Sequence, residues 1–351
     1  LSLSTANLPD PAIDPAAGDQ PSDYFNTVLY TGNETDDRAI TGVGFQPDFV
    51  WIKNRSSAYS HYLFDVLRGT DRLSSNNTQA EITQTTEFKS FDSDGFTVDT
   101  DVGTNESNSG HVAWNWKANG SGVSNTDGSI TSTVSANTEA GFSIVGWVGT
   151  ESTDTVGHGL DQKPEMLWVK NRDDSGPYWR VYHSELGAQK YLALNATDAS
   201  ASASTVFPTA PTSTVFGVGA DNAHNGSGDD IIAYAFHSVE GYSKCSSYVG
   251  NGSSDGPFIF TGFRVAWLMV KATNVAQSWV ILDNERAGSN NVDNYRLFAE
   301  SSNAESTTTP IVDLLSNGFK WRNNFGNFNG SGNTYIFMAF AEQPFKFSNA
   351  R

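Results

Sequence analysis

Gly159–Arg172, reading GLDQKPEMLWVKNR, decides how the chain is parsed, because two other stretches repeat its order of turn residue, apolar run with a tryptophan, and closing lysine. The first is Gly44–Arg55, GFQPDFVWIKNR, with Pro47, Trp51 and Lys53. The third is Gly262–Ala272, GFRVAWLMVKA, with Trp267 and Lys271 but no proline. Aligning Trp51, Trp168 and Trp267 brings other blocks into the same order. TVLYTG (27–32), FSIVGWVG (142–149) and SYVGNG (247–252) lie upstream, and aromatic runs at 61–66, 178–183 and 278–283 lie downstream. Each unit closes on HVAWNWK (111–117), IIAYAFH (231–237) or YIFMAFA (335–341). The chain therefore reads as three copies of one unit.

The closing blocks carry the clearest structural signal. Val112, Trp114 and Trp116 alternate with His111, Ala113, Asn115 and Lys117, the period of a strand with one large apolar face and one small or polar face. Ile232, Tyr234 and Phe236 fill that face in copy two, and Ile336, Met338 and Phe340 in copy three. Such a stripe suits core packing better than a sugar platform. Gly, Ser, Thr, Asn and aromatics dominate, few residues are charged, and the best helical window, Ser184–Leu194, is short and holds a glycine. The expected fold is all-β, with tandem antiparallel sandwich modules of immunoglobulin-like or jelly-roll-like architecture and an extended N-terminal arm.

The copies span 25–117, 141–238 and 241–345, with a tail at 346–351. A Gly, Ser and Thr-rich stretch at 118–140 reads as a linker holding one strand at Ser129–Val134. Residues 1–24 carry four prolines, Pro9, Pro11, Pro15 and Pro21, and few large apolar side chains. Ordering them costs about 1–2 kcal/mol per residue of backbone, so the arm needs a docking surface. We expect it either to add a strand to a sheet edge, in its own chain or in the next, with Leu1, Leu3, Leu8, Pro9, Pro11 and Ile13 as the assembling residues, or to lie across its own domain.

A net charge of −18 argues against a nucleic-acid groove, which needs clustered cations. No apolar run reaches the ~20 residues of a membrane helix, so membrane insertion is not expected. Cys245 is the one cysteine, which excludes an intrachain disulfide. Nine Asn-X-Ser/Thr sequons occur, partly because turns are rich in these residues.

No catalytic constellation assembles. The six histidines are dispersed, His158 in VGHGL being the most noticeable, and there is no GxSxG elbow, phosphate loop or dinucleotide fingerprint. Asp65, Asp92, Asp94, Asp229, Asp230, Asp283 and Glu285 would serve a two-carboxylate glycosidase, yet their spacing singles out no pair. FDSDGF, with Asp92 and Asp94, resembles the start of a calcium loop but lacks its later ligands, so a local turn is favoured. No cofactor and no enzymatic activity are expected. For ligand stacking, the exposed-aromatic candidates are Tyr178, Trp179 and Trp321.

GFSIVGWVGT with TVGHGLDQKPEMLWVKNR, GYSKCSSYVGNGSSDGPFIFTGFRVAW, LLSNGFKWR and GNTYIFMAFAEQPFK resemble a family of uncharacterised repeat proteins of marine and environmental tailed phages. YTGNETDDRAITGVGFQPDFVWIKNRS, SFDSDGF and HVAWNWK in copy one are similar to the same family, so the resemblance covers nearly the whole chain. Arg264-Val265 departs from the Arg-Pro step expected there. The resemblance implies a virion structural or tail-fibre role. The leading expectation is a non-enzymatic subunit of an extracellular or virion appendage, partnered by copies of itself through the arm. The alternatives are a receptor- or carbohydrate-binding module contacting a cell-surface glycan, and a pilus-like cellular fibril.

Overall fold

The computed structural model describes residues 8, 10–176, 178–287, 295–307 and 311–348. The fold is all-β, and its strand ladders are antiparallel. Each copy pairs a larger sheet with a smaller one. In copy one the larger sheet runs in the order Phe25–Thr31, Gly110–Trp116, Phe49–Asn54, Tyr62–Asp65, Gly69–Leu73, and the smaller joins Arg38–Thr41, Gly95–Val98 and Phe88–Asp92. Copy three repeats this with Ser243–Val249, Thr334–Pro344, Phe263–Ala272, Val280–Asp283 and Leu297–Phe298, opposite Phe258–Phe260, Gly318–Trp321 and Val312–Leu315. In copy two the same five positions are Phe142–Val148, Asp230–Phe236, Met166–Asn171, Arg180–His183 and Lys190–Ala193, in a sheet extended at both ends to eight strands. We call the first strand of each order the opening strand, the second the closing strand and the third the lysine strand.

Sandwich modules follow one another along the chain, as the alternation predicted, and their larger sheets share one core. Trp51, Trp114 and Trp116 of copy one, Trp168, Tyr234 and Phe236 of copy two, and Trp267, Met338 and Phe340 of copy three belong to a single buried cluster. The small faces of the closing strands pack inside each copy instead, as Ala113, Ala233 with Ala235, and Ala339 do in separate clusters. Covered on both sides, the lysine strands of copies one and two are buried along their whole length. That explains their near-continuous apolar runs.

Three sequence expectations change. Trp267 is not the structural counterpart of Trp51 and Trp168. Lys53, Lys170 and Lys271 pair with Val112, Ile232 and Ile336, which puts Met269, opposite Met338, in their place. Trp267 sits two residues earlier opposite Phe340, where Phe49 and Met166 stand in the other copies, and the ladder is irregular between Arg264 and Trp267. Tryptophan and a smaller apolar residue have traded places on one face, conserving core volume. The 118–140 stretch contributes two strands, Val123–Asn125 and Ser132–Asn137, its Ser/Thr alternation having concealed a strand buried at Val134 and Ser135. Ser184–Leu194 forms a turn and the strand Lys190–Ala193, with Gly187 at φ +79 breaking the helical window.

One device recurs three times at the end of the opening strand. Asn105, Asn225 and Asn329, all fully buried, accept the backbone N–H of Asn33, Thr150 and Asn251 at 3.0, 3.1 and 2.9 Å. The glycine before each anchored residue lies so close that a Cβ on Gly32, Gly149 or Gly250 would meet a carbonyl oxygen at 1.9, 2.1 or 2.4 Å. Four sequon asparagines, Asn54, Asn105, Asn225 and Asn329, are thus buried structural groups.

Candidate functional site

The polar chemistry of the molecule is concentrated where the copies meet, and it runs in one direction around the ring. Copy two reaches copy one: Trp179 Nε1 donates to the Ser74 carbonyl at 2.9 Å and the Tyr234 hydroxyl to Asp65 at 2.7 Å. Arg68 holds Asp65 at 2.5 Å and Glu81 at 3.0 Å, and Arg172 of copy two closes on Glu81 at 2.6 Å. Copy one reaches copy three in the same way. Trp114 Nε1 donates to Asp283 at 3.0 Å, Arg286 holds Asp283 at 2.6 Å and Glu305 at 2.8 Å, and Arg55 of copy one closes on Glu305 at 2.8 Å.

Copy three reaches copy two through carbonyls in place of carboxylate–arginine pairs. Trp279 Nε1 donates to the Ala193 carbonyl at 2.8 Å, while Lys271 donates to the Thr197 and Asp198 carbonyls at 3.1 and 2.9 Å. The three contacts therefore form a closed ring of head-to-tail interfaces. Asp65 and Asp283, buried beside arginines, position neighbouring copies and do not face solvent.

The lysines that closed each repeat in sequence are fully buried and bind carbonyls rather than acids. Lys53 donates to Asn54 and Ser57, and Lys170 to Asn171 and Asp174. Burial pulls each of Lys53, Lys170 and Lys271 down to about 8. His158 is also buried: Nδ1 accepts the Leu160 N–H, Nε2 faces the Thr212 carbonyl at 3.2 Å, and desolvation lowers it to about 4. Cys245 is buried, and desolvation raises its thiol.

Among the stacking candidates, Tyr178 is 47% exposed, but Trp179 and Trp321 are fully buried. Trp179 is spent on the interface above, and Trp321 stacks on Phe328 with ring centroids 4.4 Å apart, so neither is available to a sugar. Asp92 accepts from Ser90 and Thr97, and Asp94 from the N–H groups of Gly42 and Gly44, which makes both local turn acceptors. Among the described residues no group of three or more His, Cys, Asp or Glu is placed to hold a metal.

Leu1, Leu3 and Pro9 of the arm lie outside the described residues. Pro11 and Ile13 are buried on their own chain, with Ala12 N–H on the Glu240 carbonyl and Asp10 paired to Lys346. At these two residues the arm lies across its own chain, with Ile13 joining the shared core.

The sequence pointed to a sheet edge without saying which one. The opening strand of copy two is flanked by Ser132–Asn137, from Thr133 opposite Gly146 to Asn137 opposite Phe142. In copies one and three the opening strand ends its sheet. Ser243 and Val239 exchange backbone N–H to carbonyl hydrogen bonds, and Cys245 N–H donates to Ser238 Oγ, so the edge of copy three is capped over its first half. No ladder partner beyond the closing strand covers Phe25–Thr31 of copy one among the described residues, and Leu29 is 38% exposed there. No curated protein matches the chain. The model of the family described as DUF7483, a domain of unknown function, matches residues 20–344, and the chain belongs to that family.

Proposed function

We propose that the protein is a non-enzymatic structural subunit of an extracellular or virion appendage, assembling with copies of itself by strand addition. The observation that carries this reading is the contrast among three homologous edges. The edge of copy two is filled by a strand from outside the repeat, whereas among the described residues no strand fills that of copy one. An exposed edge is a template for another chain. The spending of buried acids, arginines and histidines on internal contacts favours a scaffold over a catalyst. A heterologous contact between copies that does not close would give a filament.

Solution mass and electron microscopy of the full chain beside a variant lacking residues 1–9 test this. The truncation spares Ile13 and the docked part of the arm. Filaments or concentration-dependent oligomers from the full chain, and folded monomers from the truncated one, are expected. Identical small species from both would overturn the reading.

A further inference from the structure

We infer that the cleft where the arm, the 138–141 turn and the junction of copies two and three meet binds a small aliphatic ammonium, held by His237, Glu139 and Asp19. The cleft encloses about 410 Å³, and its walls come from segments distant in sequence: Ile13, Asp19 and Tyr24 of the arm, Glu139 of the turn, and His237 and Glu240 of the junction. Small-molecule pockets span ~300–1,000 Å³. No lining residue belongs to 1–9 or to the Phe25–Thr31 edge, so this inference does not rest on strand addition.

The first observation is a buried side chain without a partner. His237, on the cleft wall, is 8% exposed. Its Nδ1 lies 2.9 Å from the Ser238 carbonyl, which can only accept, so in the neutral ring Nδ1 carries the proton and Nε2 is a bare lone pair. Nε2 has no hydrogen-bond partner among the described residues. A buried acceptor lacking a donor is destabilising, and a ligand N–H supplies one.

The second observation is the charge around it. Asp19, Glu139 and Glu240 line the same cleft, and among the described residues none of them is ion-paired. The Tyr24 hydroxyl is spent on Glu139 Oε2 at 3.0 Å. Burial pushes that hydroxyl up to about 12, and Glu139 and Asp19 both add to the rise, so the two carboxylates converge on it. The cleft thus offers acceptors in excess of donors, on a chain of net charge −18 that draws cations toward it.

The third observation selects an organic cation. Among the described residues no three of these groups stand close enough to hold a metal. Ile13 and Val239, both in the shared core, give the cleft an apolar side suited to a short aliphatic body. Lys117 stands in copy one where His237 stands in copy two, each donating its N–H to the residue before the opening strand, Tyr24 or Gly141. Its Nζ lies 5.7 Å from the Tyr24 ring centroid, so this wall already accepts an ammonium.

Titrating n-butylammonium into the full chain carrying ring-labelled histidine tests this, with 1-butanol as the uncharged comparison. Of the six histidine signals, one should move saturably, and it should be the one missing from His237→Asn. Glu139→Gln combined with Asp19→Asn, at exposed positions that leave the melting temperature unchanged, should weaken binding by about tenfold or more, and 1-butanol should bind as weakly. An equal response to 1-butanol would overturn the ammonium assignment. Binding unchanged in the double variant would overturn the role of the carboxylates. A non-saturating drift of several histidines, or no shift, would overturn the site.

Discussion

Raising the pH from 8 to 9 should stabilise this fold, the reverse of what an acidic protein held by ion pairs leads one to expect. Lys53, Lys170 and Lys271 are fully buried among carbonyls and titrate near 8 because desolvation disfavours the ammonium. Unfolding returns each to about 10.5, so between 8 and 10.5 the unfolded chain binds more protons and stability rises with pH. With those values each lysine contributes about 1 kcal/mol from pH 8 to 9, about 3 kcal/mol together. Cys245 works the other way: burial raises its thiol, so it ionises more readily in the unfolded chain and offsets a smaller part of this gain.

Urea unfolding at pH 8.0, 8.5 and 9.0, followed by tryptophan fluorescence, reads the net gain of about 2–3 kcal/mol expected from these groups. Lys170→Met should shrink the gain by about 1 kcal/mol while leaving the fold intact. A flat or falling profile, or an unchanged slope in Lys170→Met, would refute the assignment of these lysines.

Asp283→Ala removes the acceptor of Trp114 and one of the two carboxylates paired with the buried Arg286 guanidinium, so a loss of about 3–5 kcal/mol in urea unfolding is expected. Trp179→Ala should cost a similar about 3–5 kcal/mol by the same measurement, because it opens a cavity and orphans the Ser74 carbonyl. Tyr178→Ala, at an exposed neighbour, should stay within about 0.5 kcal/mol. Gly149→Ala would drive a Cβ into the Gly226 carbonyl at 2.1 Å, and a melting temperature below that of the parent protein checks it.

Much of the architecture was legible because burial imposes period two on strands: the closing blocks HVAWNWK, IIAYAFH and YIFMAFA announce both their strand and their core face. The copies were legible from the repeated lysine, although matching tryptophan to tryptophan misaligned copy three, where bulk moved two residues along the same face. The strands of 118–140 were hidden because Ser, Thr and Gly composition reads as a linker whether or not a neighbouring edge recruits it. Tyr178 and Trp179 are adjacent aromatics, and only the register against Asn195 and Ser74 decides that the second turns inward. Partners such as Tyr234 with Asp65 and Trp114 with Asp283 lie far apart in sequence and in different copies, so nothing local couples them.

Hydrogen exchange along Phe25–Thr31 tests the strand-addition claim most directly, comparing the full chain at assembling concentration with the variant lacking residues 1–9. Thr27 N–H already has a local partner in Asn26 Oδ1, so the informative amides are those of Phe25, Leu29 and Thr31. The account predicts strong protection of these three in the full chain and fast exchange in the truncated one. Equal, fast exchange in both would contradict it.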